Sequence, residues 1–168
     1  MNKGFTLIEL VVVIAIIAVL SGIILFSVTQ YIDRGKDSNI SGNLAVLIPA
    51  GEVFYNGNGN SYNDGNASFC NPTPPNGNSV IKNIIAQMPQ EPDGAPCQGG
   101  DSSDPSTWTS TLNPAGVCCY AESQAWVACA QEFTNSSNAY CVDSRGIKKE
   151  ISNEDCLNFV SANFKCSS

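Results

Sequence analysis

From Leu10 to Val28 the chain reads LVVVIAIIAVLSGIILFSV, interrupted only by Ser21, Gly22 and Ser27 and free of charge. A helix rises about 1.5 Å per residue, so about 20 such residues span the hydrocarbon core of a bilayer. A secretory signal fits poorly: its apolar region is shorter and is followed by a small-x-small cleavage site, which is missing here. An ordinary signal anchor fits the length and the single preceding base, Lys3, but leaves Glu9 unexplained. A charge in mid-membrane costs roughly 2.5–3.5 kcal/mol, and less near a helix end. Near an N-terminus the free N–H groups and the positive end of the helix dipole favour an anion. Glu9 therefore sits where an acid is least costly.

The remainder narrows the chemistry. Fifteen acids against eight bases give the 168-residue chain a formal charge of −7. Strong nucleic-acid binding is not expected, and neither is docking onto anionic head groups. Histidine is absent, which removes the usual partner of a catalytic Ser or Cys and the commonest metal ligand. Eight cysteines follow in the C-terminal hundred or so residues: Cys70, Cys97, Cys118, Cys119, Cys129, Cys141, Cys156 and Cys166. With no C-x-x-C among them, they read as structural disulfides in an oxidising compartment rather than a zinc or redox site. The C-terminal body then belongs outside the cytoplasm and the N-terminus inside.

KGFTLIELVVVIAIIAVL resembles the N-terminus of type IV pilins and type II secretion pseudopilins, on Lys3, Gly4, Phe5, Thr6, Leu7, Glu9 and the apolar run. The resemblance implies a leader, Met1 to Gly4, cut off by a prepilin peptidase between Gly4 and Phe5. It implies N-methylation of the new Phe5 amine. It also implies that Glu9, fifth in the mature chain, faces the amine of a neighbouring subunit during assembly. Partners would be further copies in a helical homopolymer, the peptidase and inner-membrane assembly machinery. A disulfide near the C-terminus, as in many pilins, implies that Cys156 and Cys166 tie the last segment down. The family's usual Pro in the membrane segment is missing, so its break point has no counterpart.

Past the span, Ile40, Leu44, Leu47, Ile48, Phe54 and Tyr55, with Gly51, recur at helical intervals and mark a face for a globular domain. Gly22 and the segment Asp33–Asn43 are expected weak points, and Pro49 is expected to kink the helix or end a piece of it. Phe5, Phe26, Tyr31, Phe54 and Tyr55 could form an aromatic path for electrons, but packing explains them more simply. NGNGNSYNDGN then reads as a solvated loop, with too few acids in the wrong places for calcium. VIKNIIAQM, capped by Ser79, reads as a short helix, bracketed and stapled by Cys70 and Cys97. Pro89 to Pro114 is an irregular excursion.

Three strands are expected, Gly116–Glu122, Ala125–Phe133 and Ala139–Ser144, in an antiparallel meander. A turn at Ser123-Gln124 would set Cys118 opposite Cys129. A loop around Asn135 would set Cys129 opposite Cys141. Both pairs cannot be bonded, and Cys118 and Cys119, on opposite faces, should serve separate bridges. Asn66 and Asn135 lie in N-x-S/T triplets that permit glycosylation in a suitable host.

The expected fold is α+β: a long N-terminal helix, membrane-spanning in its first half, packed on a small antiparallel sheet. The organisation is a leader at 1–4, a transmembrane and assembly helix at 5–30, its amphipathic continuation at 31–56, and a disulfide-rich globular domain at 57–168. The expected function is a structural, non-enzymatic subunit of a type IV pilus serving adhesion, twitching motility or DNA uptake, with no metal or cofactor. The precursor would lie in a bacterial inner membrane, and the assembled form in an extracellular pilus or a periplasmic pseudopilus. The alternatives are a type II secretion pseudopilin, at which only Glu154 and Asp155 hint through a C-terminal calcium loop, and a membrane-tethered secreted enzyme or binding module.

Overall fold

A computed structural model describes residues 5–70, 83–84, 87–88, 117–157 and 165–166, without the side chains of 25–26. One helix, α1, runs from Leu7 to Gly57 over 51 residues. It passes through Gly22, the Asp33–Asn43 segment and Pro49 without ending, so the expected weak points remain helical. Packing accounts for much of this. From residue 37 onward one face of α1 is buried, at Asp37, Ile40, Leu44, Leu47 and Gly51. Burying a Leu or Ile side chain contributes about 1.5–3 kcal/mol, more than one Gly costs in propensity. Pro49 lies on the exposed face, where water can serve the carbonyl left without its usual donor. In the apolar half, Ser21 and Ser27 donate their hydroxyls to the carbonyls of Ile17 and Ile23, at 2.7 and 3.3 Å. Each is satisfied within the helix, so neither needs water.

Four strands follow: β1 (Val117–Ala121), β2 (Trp126–Gln131), β3 (Asn138–Asp143) and β4 (Lys148–Ser152). They form one antiparallel meander in sequence order. Three are the expected strands, the first two slightly shortened and the third shifted by one residue, and β4 is an addition. A short helix, α2 (Asn153–Leu157), follows β4 directly. The two-residue turn at Ser123-Gln124 is present, with Glu122 N–H donating to Ala125 O at 2.8 Å. Cys118 faces Cys129, and Cys129 faces Cys141, in the expected registers. The whole is α+β, a long helix on a small sheet, consistent with a pilin fold.

Alternation along the strands makes two cores. Toward α1, Val117, Cys119, Trp126, Ala128, Ala130 and Val142 join Ile40, Leu44, Leu47 and Phe69. On the outer side, Cys118, Val127, Cys129, Ala139, Cys141 and Ile151 join Cys156 and Cys166. Gly51 is a point of close approach between helix and sheet. A Cβ there would lie 2.6 Å from Nε1 of Trp126. Asp37, 5% exposed, fixes the other end of this contact. Its carboxylate accepts the backbone N–H groups of Phe133 and Thr134 at 2.6 and 3.2 Å, and the Thr134 hydroxyl as well.

The segment after α1 departs from the expected solvated loop. Tyr62, Ser68, Phe69 and Cys70 are buried. Tyr62 N–H donates to Ser123 O at 3.0 Å, and Asn63 Nδ2 donates to Ala121 O at 3.1 Å, which pins the loop to the β1–β2 hairpin. Tyr62 also donates its hydroxyl to Glu52 at 3.0 Å. Burial, then this carboxylate partner, push the phenol up to about 12. Phe54, Tyr55, Tyr62, Phe69 and Trp126 form one aromatic cluster, with centroids 4.7–6.2 Å apart, inside the helix-side core. Tyr31 stands apart and exposed. Of the expected short helix, Asn83, Ile84 and Gln87 are helical, and Ile84 and Met88 are buried. The Pro89–Pro114 excursion and Cys97 lie outside the described residues.

Candidate functional site

The N-terminal half of α1 opens on Thr6, which caps it. The Thr6 hydroxyl accepts Glu9 N–H at 3.4 Å. In return Glu9 Oε2 accepts the Thr6 backbone N–H at 2.9 Å and the Thr6 hydroxyl at 2.8 Å. This is a capping box, two free donors satisfied reciprocally at a helix start. Both Thr6 donors land on one carboxylate oxygen, so Oε1 is open among the described residues. Phe5, adjacent to the cap, is 76% exposed. Gly4 lies outside the described residues, and with it the expected cleavage bond. Thr6 is the partner that the sequence reading overlooked, although T-x-x-E ahead of an apolar run is itself the signature of such a box.

Beyond the cap the helix is bare. Leu7, Ile8, Leu10, Ile14, Ile17 and Leu20 are each more than half exposed. None of the apolar window is buried within the chain. Long apolar surface of this extent requires lipid or another protein as its surroundings. By length and composition this stretch can cross a membrane.

The cysteines make the second candidate region. Cys70 bonds Cys119, Cys129 bonds Cys156 and Cys141 bonds Cys166. Their Cα–Cα distances, 5.5, 5.8 and 5.8 Å, are ordinary for disulfides. Cys118 is also disulfide-bonded. Cys118 and Cys119 thus serve separate bridges, as their opposite faces require. One expectation needs correction, the staple between Cys70 and Cys97. Cys70 is bonded to the first strand and not to Cys97. Neither registered strand pair is bonded, because Cys129 and Cys141 each turn to the C-terminal segment instead. Cys156 and Cys166 do tie that segment down.

The carboxylates that could suggest calcium are otherwise engaged. Asp64 accepts the N–H groups of Asn66 and Ala67 at 2.8 and 2.7 Å, a turn-forming role. The Ala67 and Asn66 amides, in that order, hold its carboxyl below the usual range. Asp155 accepts the hydroxyl of Ser152 at 2.7 Å, and Ser152 caps α2 by accepting Asp155 N–H at 3.0 Å. Asn66 and Asn135 are exposed, and Asn135 Oδ1 accepts Ser137 N–H at 3.1 Å.

Asp143 is a further residue missed from sequence. Fully buried, it accepts the backbone N–H groups of Arg145, Ile147 and Cys166 at 3.0, 3.3 and 3.2 Å, and pairs with the Arg145 guanidinium. It joins the β3–β4 turn, where Gly146 has a φ of 76°, to the C-terminal disulfide.

A family model for the prokaryotic N-terminal methylation motif matches residues 1–25. The chain is 32% identical over 116 residues to the type IV major pilin protein PilA of Myxococcus xanthus, covering 60% of this chain and 50% of that protein. It is 51% identical over 45 residues to the type IV major alpha-pilin of Moraxella bovis, covering 27% of this chain and 28% of that one. The matched part therefore spans half or less of these relatives. No solved structure gives a significant match. With a capped, uncovered apolar helix ahead of a small stapled sheet, the motif and the two relatives support a type IV pilin or prepilin family for this chain.

Proposed function

We propose that this chain is the structural subunit of a type IV pilus, made as a membrane-anchored precursor and polymerised through the first half of α1. The observation that carries the reading is the apolar helix left uncovered by its own chain and headed by the Thr6–Glu9 box. The leader is 1–4, the transmembrane and assembly segment 5–30, its continuation 31–56 and the globular domain 57–168. Before assembly the N-terminus is cytoplasmic and the disulfide-rich domain is outside. A prepilin peptidase cuts between Gly4 and Phe5, and the new amine is methylated.

The open Oε1 of Glu9 then accepts the Phe5 amine of a neighbouring copy, while Oε2 keeps its bonds to Thr6. Held by Thr6, the carboxylate enters the filament already oriented and partly shielded from hydrocarbon. The repeating contact is head-to-tail, which yields an open helix. The role is mechanical, in adhesion, motility or DNA uptake, as in the pilins it resembles.

Mass spectrometry of sheared surface filaments tests the assignment. This chain should dominate them and begin at N-methylated Phe5, and its absence would sink the reading. A pseudopilin of a type II secretion system shares all these features, and recovery only from short periplasmic fibres would favour it. An intact or differently cut N-terminus would favour a tethered enzyme or binding module. Glu9→Val should leave membrane insertion intact and abolish most assembly. Normal filaments from that variant would refute the pairing role.

A further inference from the structure

Three sulfurs on the outer face of the sheet are closer than two independent bridges require. The Sγ atoms of Cys118, Cys129 and Cys156 all lie within 4.8 Å of one another, and all three residues are buried. Cys129 and Cys156 are bonded to each other, and Cys118 is bonded elsewhere. Cys118 and Cys129 are direct cross-strand partners in the β1–β2 ladder. Directly opposed residues in an antiparallel pair have Cα atoms about 4.5–5.5 Å apart, inside the range that a disulfide spans. A bond between Cys118 and Cys129 therefore needs new side-chain rotamers but no change of strand register.

We propose that this trio is a thiol–disulfide exchange site, in which Cys118, once reduced, captures Cys129 and releases Cys156. The co-reactant is a dithiol or phosphine reductant. It opens the Cys118 disulfide by supplying two electrons, and is itself oxidised to the disulfide or the phosphine oxide. The Cys118 thiol then loses its proton to solvent, and its thiolate attacks Cys129 Sγ. The Cys118–Cys129 bond forms, the Cys129–Cys156 bond breaks, and Cys156 leaves as a thiolate that takes up a proton. No net oxidation accompanies this second step. Attack falls on Cys129 because both partners sit on paired strands, whereas Cys156 sits on the five-residue α2 and can swing away. The exchange changes which element is covalently held. The β1–β2 ladder gains a staple, and α2 loses the one that fixes it to β2. Cys141–Cys166 remains as the hold on the last segment.

The test uses the full chain in detergent micelles, partially reduced by a water-soluble phosphine. One sample is kept near pH 3, where thiolates are scarce, and another near pH 8, where exchange runs. Both are then alkylated and mapped by mass spectrometry. In acid, label should fall on Cys118. At alkaline pH the label should move to Cys156, with a Cys118–Cys129 cross-linked peptide. Label on Cys118 at both pH values, with Cys129–Cys156 intact, overturns the proposal. So does label on Cys129 and Cys156 while Cys118 is still bonded. Independently, Cys156→Ser protein whose Cys118 disulfide has been reduced, then exposed to a disulfide oxidant near pH 8, should yield the Cys118–Cys129 peptide, and alkylation of both Cys118 and Cys129 in that variant counts against it.

Discussion

The two faces of one four-stranded sheet are covered by different physics. On the inner face a long helix is available, and Ile40, Leu44 and Leu47 close over Trp126 and its neighbours. Apolar area does most of the holding there, and among the described residues one sulfur bridge, Cys70–Cys119, ties down a loop. Among the described residues, the outer face is covered by the five-residue α2 and by Cys166. A helix that short has little intrinsic stability and little area to offer. Cys129–Cys156, Cys141–Cys166 and the bridge of Cys118 add covalent hold on that face, as is usual where a small domain has little core. The lesson is that coverage sets the need for cross-links, one face at a time.

The contrast can be attacked from its stronger side first. Trp126→Ala should cost about 3–5 kcal/mol, read by urea unfolding of the full chain in micelles, in oxidised and reduced protein alike. An equal loss that appeared only after reduction would show that sulfur holds the inner face too. Next, replacing Cys129 and Cys156 together by Ser should cost about 2–4 kcal/mol by removing a cross-link across 27 residues. That loss should leave the α1 contact intact, so α2 amides should lose exchange protection before those of Leu44 and Leu47.

Gly51→Ala sharpens the inner face further. Overpacking against Trp126 should cost about 1–3 kcal/mol, offset in part by up to about 1 kcal/mol of helix propensity. Gly42→Ala, in the same helix but with nothing within 4 Å of the new Cβ, should instead gain up to about 1 kcal/mol. Opposite signs in one helix would locate the tight contact; equal signs would deny it.

The smallest effect concerns Glu132, 6% exposed with Oε1 unpartnered among the described residues. Burial, then the charges of Glu150 on β4 and Asp37 on α1, push its carboxyl up from the ordinary value. The folded state thus holds this proton more firmly than the unfolded chain. Its contribution is present below the ordinary carboxyl range and is lost as pH rises through the raised value. Glu132→Gln should flatten that decline and make the protein slightly more stable at neutral pH, measured by melting across pH 4 to 8.

Legibility in the sequence followed signal strength per residue. The apolar run, the Ile40–Leu44–Leu47 stripe and the three cysteine-bearing strands each repeat a period several times, and they emerged with correct registers. β4 escaped because KKEIS carries one buried residue, Ile151, among charges. The durability of α1 through Gly35, Gly42 and Pro49 was also hidden, since local propensity argues against it and much of the compensating burial involves residues far along the chain. Disulfide partners were hidden for the same reason: registers place Cys118 beside Cys129, but only the path of the C-terminal segment decides that Cys156 takes it. At the N-terminal site Glu9 stood out as an acid among hydrocarbons. Thr6 stands out less, because a lone threonine carries no signal unless it is paired with the glutamate three residues on as a T-x-x-E box.

Asp143 bears on the order in which the chain closes. Its Oδ2 receives both the Arg145 guanidinium and the backbone amide of Cys166. A hydrogen-bonded docking of this kind raises the effective concentration of one thiol beside another before any covalent bond exists. The β3–β4 turn that Asp143 organises is local and can form early. It then offers a waiting berth for Cys166 next to Cys141, twenty-five residues back. In the folded chain one carboxylate thus holds the Cys166 backbone beside Cys141, so the covalent tie there is backed by a second, non-covalent one.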